Sequence, residues 1–384
     1  MSVKKAIGCL YGQLIGDALG CRYEFKRAAD TQAMIAKDLN VEKFLAILGG
    51  GPFKLSPGQM SIKKAIGCLY GQLIGDALGC RYEFKRAADT QAMIAKDLNV
   101  EKFLAILGGG PFKLSPGQVT DDSEMAFSLA SSLCRCKRFD ATDIACAYVR
   151  WEQSAPPDIG IATHFALHIE AKKDVHKMVL SNVRQHNGGR LSNGCLMRIS
   201  PLAIASANFS IERMKEVVEA DCILTHHEAV CVDATTSYVA AVRSLINDHT
   251  PEEAYKMAME ICQNETVKDI LKCSKKEPIP VKAKDTLIKG DAAMMGYIGV
   301  ALQSAFYEML HAPSFYDGVL AAISRGGDTD TNGAIVAAIL GARFGVDEIP
   351  TAWLTTIRNA KPRCPSLRLS YNVEEIVPQL LELS

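Results

Sequence analysis

The sequence predicts a single compact all-α domain, an orthogonal bundle of many short helices. Apolar residues recur at the three-to-four-residue spacing of a buried helix face along most of the chain. Alternating runs of Val, Ile and Thr, which would indicate strands, are nearly absent. Hydrophobic residues make up 48% and charged residues 22% of the 384 residues, a composition typical of globular proteins and not of disordered chains.

Charge and apolar patterning exclude several classes of protein. The 43 basic and 43 acidic side chains balance, which argues against a general nucleic-acid binder. The longest uninterrupted apolar or small stretch, 333–342, is about half of the ~20 residues that a membrane-spanning helix needs, and the N-terminus makes a poor signal peptide. The 13 cysteines contain no C-x-x-C pair and are typical of reduced, buried residues. We therefore expect a cytoplasmic or nuclear monomer that binds neither nucleic acid nor a membrane.

Residues 1–59 and 60–118 are the same sequence, apart from Val3 in place of Ile62. Natural repeat proteins carry diverged copies and need three or more units, so this pair indicates a recent duplication or a sequence-assembly error rather than a solenoid. Only the second copy runs directly into Val119. We therefore expect residues 60–384 to form the functional domain, residues 1–59 to be appended or poorly packed, and Glu83 rather than Glu24 to lie at the site.

The first helix of that domain is predicted from the apolar residues between Ile62 and Leu78. Glycines at 67, 71, 75 and 79 form a second stripe on it. Because an interior glycine costs roughly 0.5–1 kcal/mol relative to alanine, this stripe predicts another backbone packed very close. Further helices are predicted at 100–107, 122–134, 140–152, 174–185, 194–206, 210–220, 227–247, 251–272, 291–311, 314–324, 330–343 and 373–383.

Two segments rich in Asp and Thr each precede a predicted helix. Residues 120–122 read Thr-Asp-Asp, and residues 326–331 read Gly-Gly-Asp-Thr-Asp-Thr. Asp and Thr are favoured helix N-caps, but one cap needs one such residue and each segment supplies two carboxylates. Clustered carboxylates repel unless protons or cations neutralise them, and hard divalent cations prefer carboxylate and hydroxyl ligands. The residues alone leave both interpretations open, helix caps and a metal site.

These two segments together resemble the paired signature of the ADP-ribosylglycohydrolase family, which includes the dinitrogenase-reductase-activating glycohydrolases and the mammalian ADP-ribosylhydrolases. Four further segments resemble the family in the right order: Gly75–Gly79 with Glu83 just beyond, Pro157–Gly160, Ser192–Arg198 and Leu224–His226. The resemblance covers essentially all of 60–384. It implies an all-α fold with a two-metal centre.

The resemblance also implies a role for each matching residue. The implied metal ligands, for two divalent cations (Mg²⁺ or Mn²⁺) roughly 3.5–4 Å apart, are Thr120, Asp121, Asp122, Asp328, Asp330 and Thr331. The implied catalytic residues are Asp158, Glu83 and Asp122. The residues expected in the ADP-ribose cleft are Asn193, Gly194 and His226.

The activity implied is hydrolysis of the glycosidic bond at the distal ribose of ADP-ribose, attached to a protein side chain or a small compound. Arginine is the expected attachment, because Asp158 and the 192–198 segment are more similar to the dinitrogenase-reductase branch. Asp158 or Glu83 would act as general base for water. The alternative is an inactive, crystallin-like or ADP-ribose-binding member of the same fold.

Three other features have structural interpretations that we favour. His226-His227-Glu228 shows no zinc-site spacing, so His226 is expected to contact a phosphate or a core neighbour. Cys195 has no partner histidine in sequence that would make a nucleophile. The resemblance makes the Asn187–Arg190 loop a better phosphate-binding candidate than Gly108–Pro111, whose proline lacks a backbone donor; the residues alone favour a plain turn.

Overall fold

The computed structural model describes residues 58–170, 173–279, 281–283, 286–288 and 294–383. The chain divides into two units, Met1–Gln59 and Met60–Ser384, and the described residues belong almost entirely to the second. Copy one, with its Glu24, lies outside the described residues, so the expectation for that segment stays a prediction.

Helices dominate the described part of the chain, as predicted. They are α1 (Gly58–Gly79), α2 (Ala87–Asp97), α3 (Asp121–Cys136), α4 (Ala141–Glu152), α5 (Ile161–Leu167), α6 (Val175–His186), α7 (Ser200–Ala205), α8 (Ile211–Cys222), α9 (Ala229–Ile246), α10 (Pro251–Ile261), α11 (Glu265–Ser274), α12 (Ile298–His311), α13 (Phe315–Ser324), α14 (Thr329–Phe344), α15 (Thr351–Asn359) and α16 (Val373–Leu381). Short 3₁₀ turns lie at Cys80–Tyr82, Asn193–Cys195, Val346–Glu348 and Pro365–Leu367. Two antiparallel pairs join β1 (Lys85–Arg86) with β4 (Gly326–Gly327) and β2 (Val281–Ala283) with β3 (Thr286–Ile288).

The glycine stripe of α1 packs directly on the backbone of α14. A Cβ atom added at Gly71 would lie 2.0 Å from the carbonyl oxygen of Ala337, and one at Gly75 would lie 2.0 Å from that of Gly333. The same contact continues from Gly67 to Gly341. The predicted close backbone approach is thus confirmed, and the two helices run antiparallel. Consequently the end of α1 lies beside the beginning of α14.

The prediction of a helix over 100–107 is wrong. The Asn99 side chain accepts hydrogen bonds from the backbone amides of Glu101 and Phe103, at 3.0 and 2.8 Å. Such a side chain competes with the helical hydrogen bonds that these amides would otherwise make. Lys102 then adopts a left-handed conformation with φ 58°, and Val100 is fully exposed. The segment is a turn that reaches the Gly108–Gly110 loop.

The predicted helix over 251–272 is two helices, because a second N-cap interrupts it. Asn264 caps α11 by accepting hydrogen bonds from the amides of Thr266 and Val267. Asp233 on α9 accepts from the amides of Gln263 and Asn264, which ties the break to the core. The pattern therefore located the helical region but not its interruption.

The centre of the fold is formed by α9, α12 and α14, which pack against one another and against their neighbours. Among the described residues, α9 has the length and apolar composition that could cross a membrane, but 72% of that stretch is buried inside the fold. Such burial is what a core helix shows. Every residue of α14 from Thr329 to Ala342 is buried as well. A rigid interior element therefore carries the Asp-Thr-Asp-Thr segment.

Candidate active site

The antiparallel packing of α1 and α14 places Glu83 beside the start of α14. Just after Glu83, the amide of Phe84 donates a 2.9 Å hydrogen bond to the carbonyl of Gly327, and β1 pairs with β4. Gly326 and Gly327 have φ values of 71° and 80°, and a Cβ at Gly326 would lie 2.5 Å from the Lys85 carbonyl oxygen. Glycine is required here because other residues rarely adopt this conformation and would clash.

Asp76 organises the beginning of α3. Its carboxylate accepts hydrogen bonds from the amide and hydroxyl of Thr120, both at 3.0 Å, and from the amide of Ser123 at 3.1 Å. These are the orphan donors of a helix N-terminus, satisfied by a side chain from another helix. The same hydroxyl oxygen lies 2.9 Å from Asp122 Oδ2, so its single proton is shared between the two carboxylates. Asp76 therefore sets the positions of Thr120 and Asp122.

Three carboxylates from separate parts of the chain converge. Single oxygens of Glu83, Asp328 and Asp330 all lie within 4.8 Å of one another. The carboxyl groups of Asp121 and Asp158 also lie beside each other. The two segments that the sequence singled out therefore meet in one acidic cluster, together with Glu83 and Asp158.

Several oxygens of this cluster are buried without a donor. Among the described residues, Glu83 Oε2, Asp122 Oδ1 and Asp330 Oδ2 have no hydrogen-bond partner. Buried polar atoms are nearly always satisfied, and an unsatisfied carboxylate oxygen is costly. All three residues are at most 5% exposed. Helix capping, the structural interpretation of these segments, leaves these oxygens unexplained.

The pKa values of the cluster are raised, as expected for like charges in a buried place. Burial, followed by the neighbouring charges of Asp158 and Asp328, raises the pKa of Glu83 to about 9. Burial also raises the pKa of Asp158 to about 6. The pKa values of the remaining buried acids are raised well above their usual range by burial and by neighbouring carboxylates; these acids are Asp121, Asp122 and Asp330. The site thus favours protons or cations.

A cleft of about 1010 Å³ opens above this cluster. That volume lies at the upper end of the range of roughly 300–1,000 Å³ typical of small-molecule sites. Of the predicted site residues, those lining the cleft are Glu83, Asp121, Asp158, Asn193, Gly194, Asp328 and Thr331. Thr120, Asp122 and Asp330 lie buried beneath it. The predicted metal-ligand and catalytic residues therefore form the floor of the cleft and the layer below.

Asn193 connects the cleft wall to the acidic cluster. Its side-chain amide donates a 2.8 Å hydrogen bond to Asp328 Oδ2, and its backbone amide donates to the carbonyl of Gly296. The following residue, Gly194, lets the side chains of His226 and Thr163 pack close, since a Cβ there would lie 3.1 Å from both of them. Both residues line the cleft, and their expected contact with ADP-ribose stays a prediction.

His226 does not line the cleft. It is fully buried, and its ring hydrogen-bonds Ser192 Oγ at 2.7 Å and Thr225 Oγ1 at 2.9 Å. Burial lowers its pKa. His226 therefore supports Ser192 and Gly194 from behind, as the core-neighbour interpretation expects, and the structure shows no direct path from its ring to a ligand.

Other residues that the sequence offered have structural roles. Cys195 is fully buried beneath the cleft wall, 3.5 Å from Thr235 Oγ1. Glu124, in the same acidic run as Asp121, accepts hydrogen bonds from Arg363 and Trp151 and so faces away from the cluster. The cysteines of the described residues are all free.

Sequence reasoning missed three contributors to the site. Asp76 lies within the Gly75–Gly79 segment, but its partners lie 44 and 47 positions away, so no local pattern shows its role. Phe84 lines the cleft, is 51% exposed and has φ 62°. A non-glycine residue in this conformation is strained and typical of functional sites. The turn Met294–Tyr297, predicted to be helical, lines the opposite wall.

The fold and the site together define an all-α enzyme with an acidic active-site cleft. Residues 57–383 match the model of the ADP-ribosylglycohydrolase family. The chain therefore belongs to the ADP-ribosylglycohydrolase family and is a hydrolase of glycosidic bonds.

Comparison with individual proteins agrees with this assignment. The chain is 26% identical to the ADP-ribosyl-[dinitrogen reductase] glycohydrolase of Rhodospirillum rubrum, over 77% of this chain and 90% of the relative. It is 28% identical to the ADP-ribosylarginine hydrolase Tri1 of Serratia proteamaculans, over 78% and 76%, and 25% identical to the ADP-ribosylhydrolase ARH3 of Bos taurus, over 76% and 88%. A solved structure titled ADP-ribosylglycohydrolase-related protein complex has the same fold, with a TM-score of 0.60 and 23% identity over 85% of this chain and 98% of that chain.

Proposed function

We propose that this enzyme removes ADP-ribose from a modified protein side chain, with ADP-ribosyl-arginine as its preferred substrate. The observation that carries the proposal is the set of buried, donor-less carboxylate oxygens directly beneath a cleft of about 1010 Å³. One relative supports arginine, since it is named for ADP-ribosylarginine. Another supports a modified protein as the substrate, since it is named for ADP-ribosyl-[dinitrogen reductase].

The acidic cluster fits two divalent cations, Mg²⁺ or Mn²⁺. The residues that would hold them are Thr120, Asp121, Asp122, Asp328, Asp330 and Thr331. They offer carboxylate and hydroxyl oxygens, the ligands that hard cations prefer, and the unpaired oxygens of Asp122 and Asp330 are otherwise unexplained. When bound, such cations would orient the ribose hydroxyls and lower the pKa of a water molecule.

The remaining groups of the cleft supply the other requirements of the reaction. Glycosidic bonds break through a state with positive charge on the sugar, which nearby carboxylates stabilise. Asp158 lines the cleft, partly exposed, with its carboxyl group beside that of Asp121. We propose that Asp158, or Glu83 on the floor, takes the proton from the attacking water. Asn193 fixes Asp328 through its side-chain amide.

An inactive, ADP-ribose-binding role is the weaker proposal. Binding alone would not require a layer of buried acids with raised pKa values beneath the cleft, because such acids cost folding free energy when no cation neutralises them. In the proposed catalytic role, each of these acids either holds a cation or takes a proton from water.

The test is a paired assay of the full-length protein. ADP-ribosyl-arginine and ADP-ribosyl-serine peptides are each incubated with enzyme in EDTA, in Mg²⁺ and in Mn²⁺, and released ADP-ribose is measured. We expect release from the arginine peptide only when a divalent cation is added. Undiminished release in EDTA would refute the metal-dependent mechanism. Faster release from the serine peptide would refute ADP-ribosyl-arginine as the preferred substrate.

A further inference from the structure

A second cluster of ligand-type side chains lies outside the acidic centre. Glu152 is the last residue of α4, His164 lies in α5, and His168 follows α5 directly. Glu152 Oε1 lies 3.2 Å from His164 Nδ1 and 2.9 Å from His168 Nδ1. The three atoms all lie within 4.8 Å of one another. Two helices are thus joined through one carboxylate oxygen and two imidazole nitrogens.

The spacing of these atoms suits a tetrahedral cation. Zn²⁺ binds His nitrogen and carboxylate oxygen at about 2.0–2.2 Å, so two ligand atoms at the tetrahedral angle are about 3.3 Å apart. The observed separations of 3.2 and 2.9 Å are close to that value. The two histidines are four positions apart at the end of a helix, which puts them on one face. Their rings have centroids 4.9 Å apart.

The chemistry of the three ligands differs from that of the acidic centre. Two imidazoles and one carboxylate suit borderline transition cations such as Zn²⁺, whereas carboxylate and hydroxyl groups suit Mg²⁺ and Mn²⁺. The Glu152 side chain is 9% exposed, while those of His164 and His168 are 45% and 65% exposed. A cation would therefore have a fixed inner ligand, an open path from solvent, and room for water in its remaining coordination position.

We propose that Glu152, His164 and His168 form a Zn²⁺ site that ties α5 to α4. The first residues of α5, Ile161 to Thr163, line the active-site cleft, and Asp158 lies just before them. Cation binding at the far end of α5 therefore fixes a wall of the cleft without touching its acidic floor. This site is separate from the proposed reaction and does not depend on its substrate.

The experiment is a calorimetric titration of the EDTA-treated, full-length protein with Zn²⁺ in excess Mg²⁺. The variants are Glu152→Gln and the double replacement of His164 and His168 by Ala. His186→Ala is the matched control, because His186 stacks on the neighbouring Phe165 but is not part of the cluster. The Asp330→Asn variant impairs the acidic centre, so Zn²⁺ binding that this variant retains takes place at another site.

We expect the wild type, His186→Ala and Asp330→Asn to bind one Zn²⁺ that the double variant does not bind. Glu152→Gln should weaken this binding by more than about 10-fold. Zn²⁺ at a hundred times its dissociation constant should raise the Tm of the wild type by about 3 °C, and that of the double variant should not respond at this site. An unchanged Zn²⁺ stoichiometry in the double variant, when its metal-free Tm shows it to be folded, would overturn the proposal.

Discussion

At the scale of single residues, the buried acids of this enzyme are of two kinds. Glu124 is 1% exposed and forms an ion pair with Arg363 and a hydrogen bond with Trp151. Asp330 is also 1% exposed, but its Oδ2 has no partner among the described residues. A buried charge that is paired stabilises the fold once it is in place, whereas an unpaired one among like charges destabilises it. The same chemical group therefore has opposite effects on stability in the two places.

We predict that Glu124→Gln and Asp330→Asn change stability in opposite directions in metal-free protein. Glu124→Gln should lower the free energy of unfolding by about 3 kcal/mol, because it leaves Arg363 without its partner. Asp330→Asn should leave this free energy unchanged or raise it, since it relieves repulsion. Urea denaturation in EDTA measures both.

We expect the two substitutions to affect activity in the opposite order to stability. Asp330→Asn should reduce divalent-dependent hydrolysis by more than about 100-fold, while folded Glu124→Gln should keep most of it. Full activity in Asp330→Asn would contradict the assignment of this residue as a metal ligand.

The raised pKa values predict an unusual dependence of stability on pH. Without divalent cations the folded pKa values of Glu83, Asp76 and Asp158 are about 9, about 7 and about 6, against about 4 in an unfolded chain. Over this window the folded state binds more protons than the unfolded state, so stability rises as the pH falls. We expect the Tm in EDTA to increase from pH 9 to pH 6.

Saturating Mg²⁺ or Mn²⁺ should remove most of this increase, because the cations neutralise the same carboxylates and displace their protons. Differential scanning calorimetry at pH 9, 7.5 and 6 checks both statements. A Tm in EDTA that does not change over this range would show that the cluster is not a source of strain in the metal-free fold.

At the scale of helices, the contact between α1 and α14 sets the geometry of the site. Both helices bring their backbones together through small residues, and this contact fixes where Glu83 lies relative to Asp328 and Asp330. The glycine stripe could be recognised in the sequence because glycine weakens a helix. Its repetition every four residues therefore needs another cause, such as close packing. Its partner helix was not identified, because many segments of the chain are equally apolar.

We predict that Gly75→Ala destabilises the protein by about 3 kcal/mol or more. The new Cβ would lie 2.0 Å from the Gly333 carbonyl oxygen, which is backbone and cannot rotate away. This strain outweighs the gain of up to about 1 kcal/mol in helix propensity. The expected separation of the two helices should also weaken divalent-cation binding.

Gly188→Ala is the matched control for this prediction. An added Cβ there meets nothing within 4 Å, so the substitution should be neutral or stabilise by about 0.4–1 kcal/mol through the unfolded chain. Thermal denaturation of both variants gives the comparison. Equal Tm values would mean that the α1–α14 contact tolerates a methyl group, against the packing described above.

Most helices with long apolar faces were predictable, and several shorter ones were not. α3, α8, α9 and α16 lie close to their predicted places because each buries a regular stripe. α2, α5 and α15 were missed, and α5 contains only seven residues, too few for a clear period. The 100–107 error arose from Asn99, whose side chain takes over the backbone amides that a helix would use.

The acidic floor of the site and the part of its wall at Asn193 and Gly194 were predictable, and the rest of the wall was not. The Asp-rich segments are contiguous in sequence and stand out by their charge. The role of Asp76 and the cleft-lining turn at Met294–Tyr297 arise only when distant segments meet in the fold. Sequence reasoning therefore gave the chemistry of the site more reliably than its shape.

At the scale of the whole molecule, the duplication raises the question of which copy forms the first part of the folded domain. The family match begins at residue 57, and the described fold begins with α1 at Gly58. Apart from Gly58 and Gln59 at the start of α1, every helix and site residue described above belongs to copy two or to the sequence after it. Using copy one instead would require the chain to loop out the 59-residue second copy, at roughly 1–3 kcal/mol of closure entropy.

We predict that deletion of residues 1–59 leaves a folded, active enzyme with unchanged divalent-cation binding and a higher soluble yield. Deletion of residues 60–118 is the matched control, because it joins copy one directly to Val119. The two shortened chains then differ only by Val3 in place of Ile62. Ile62 is 37% exposed, so this difference should change stability by less than about 0.5 kcal/mol. Their Tm values and rates of ADP-ribose release should therefore agree within error. If both shortened chains fail to fold while the full-length protein folds, copy one contributes to the core, and residues 60–384 are not the complete domain.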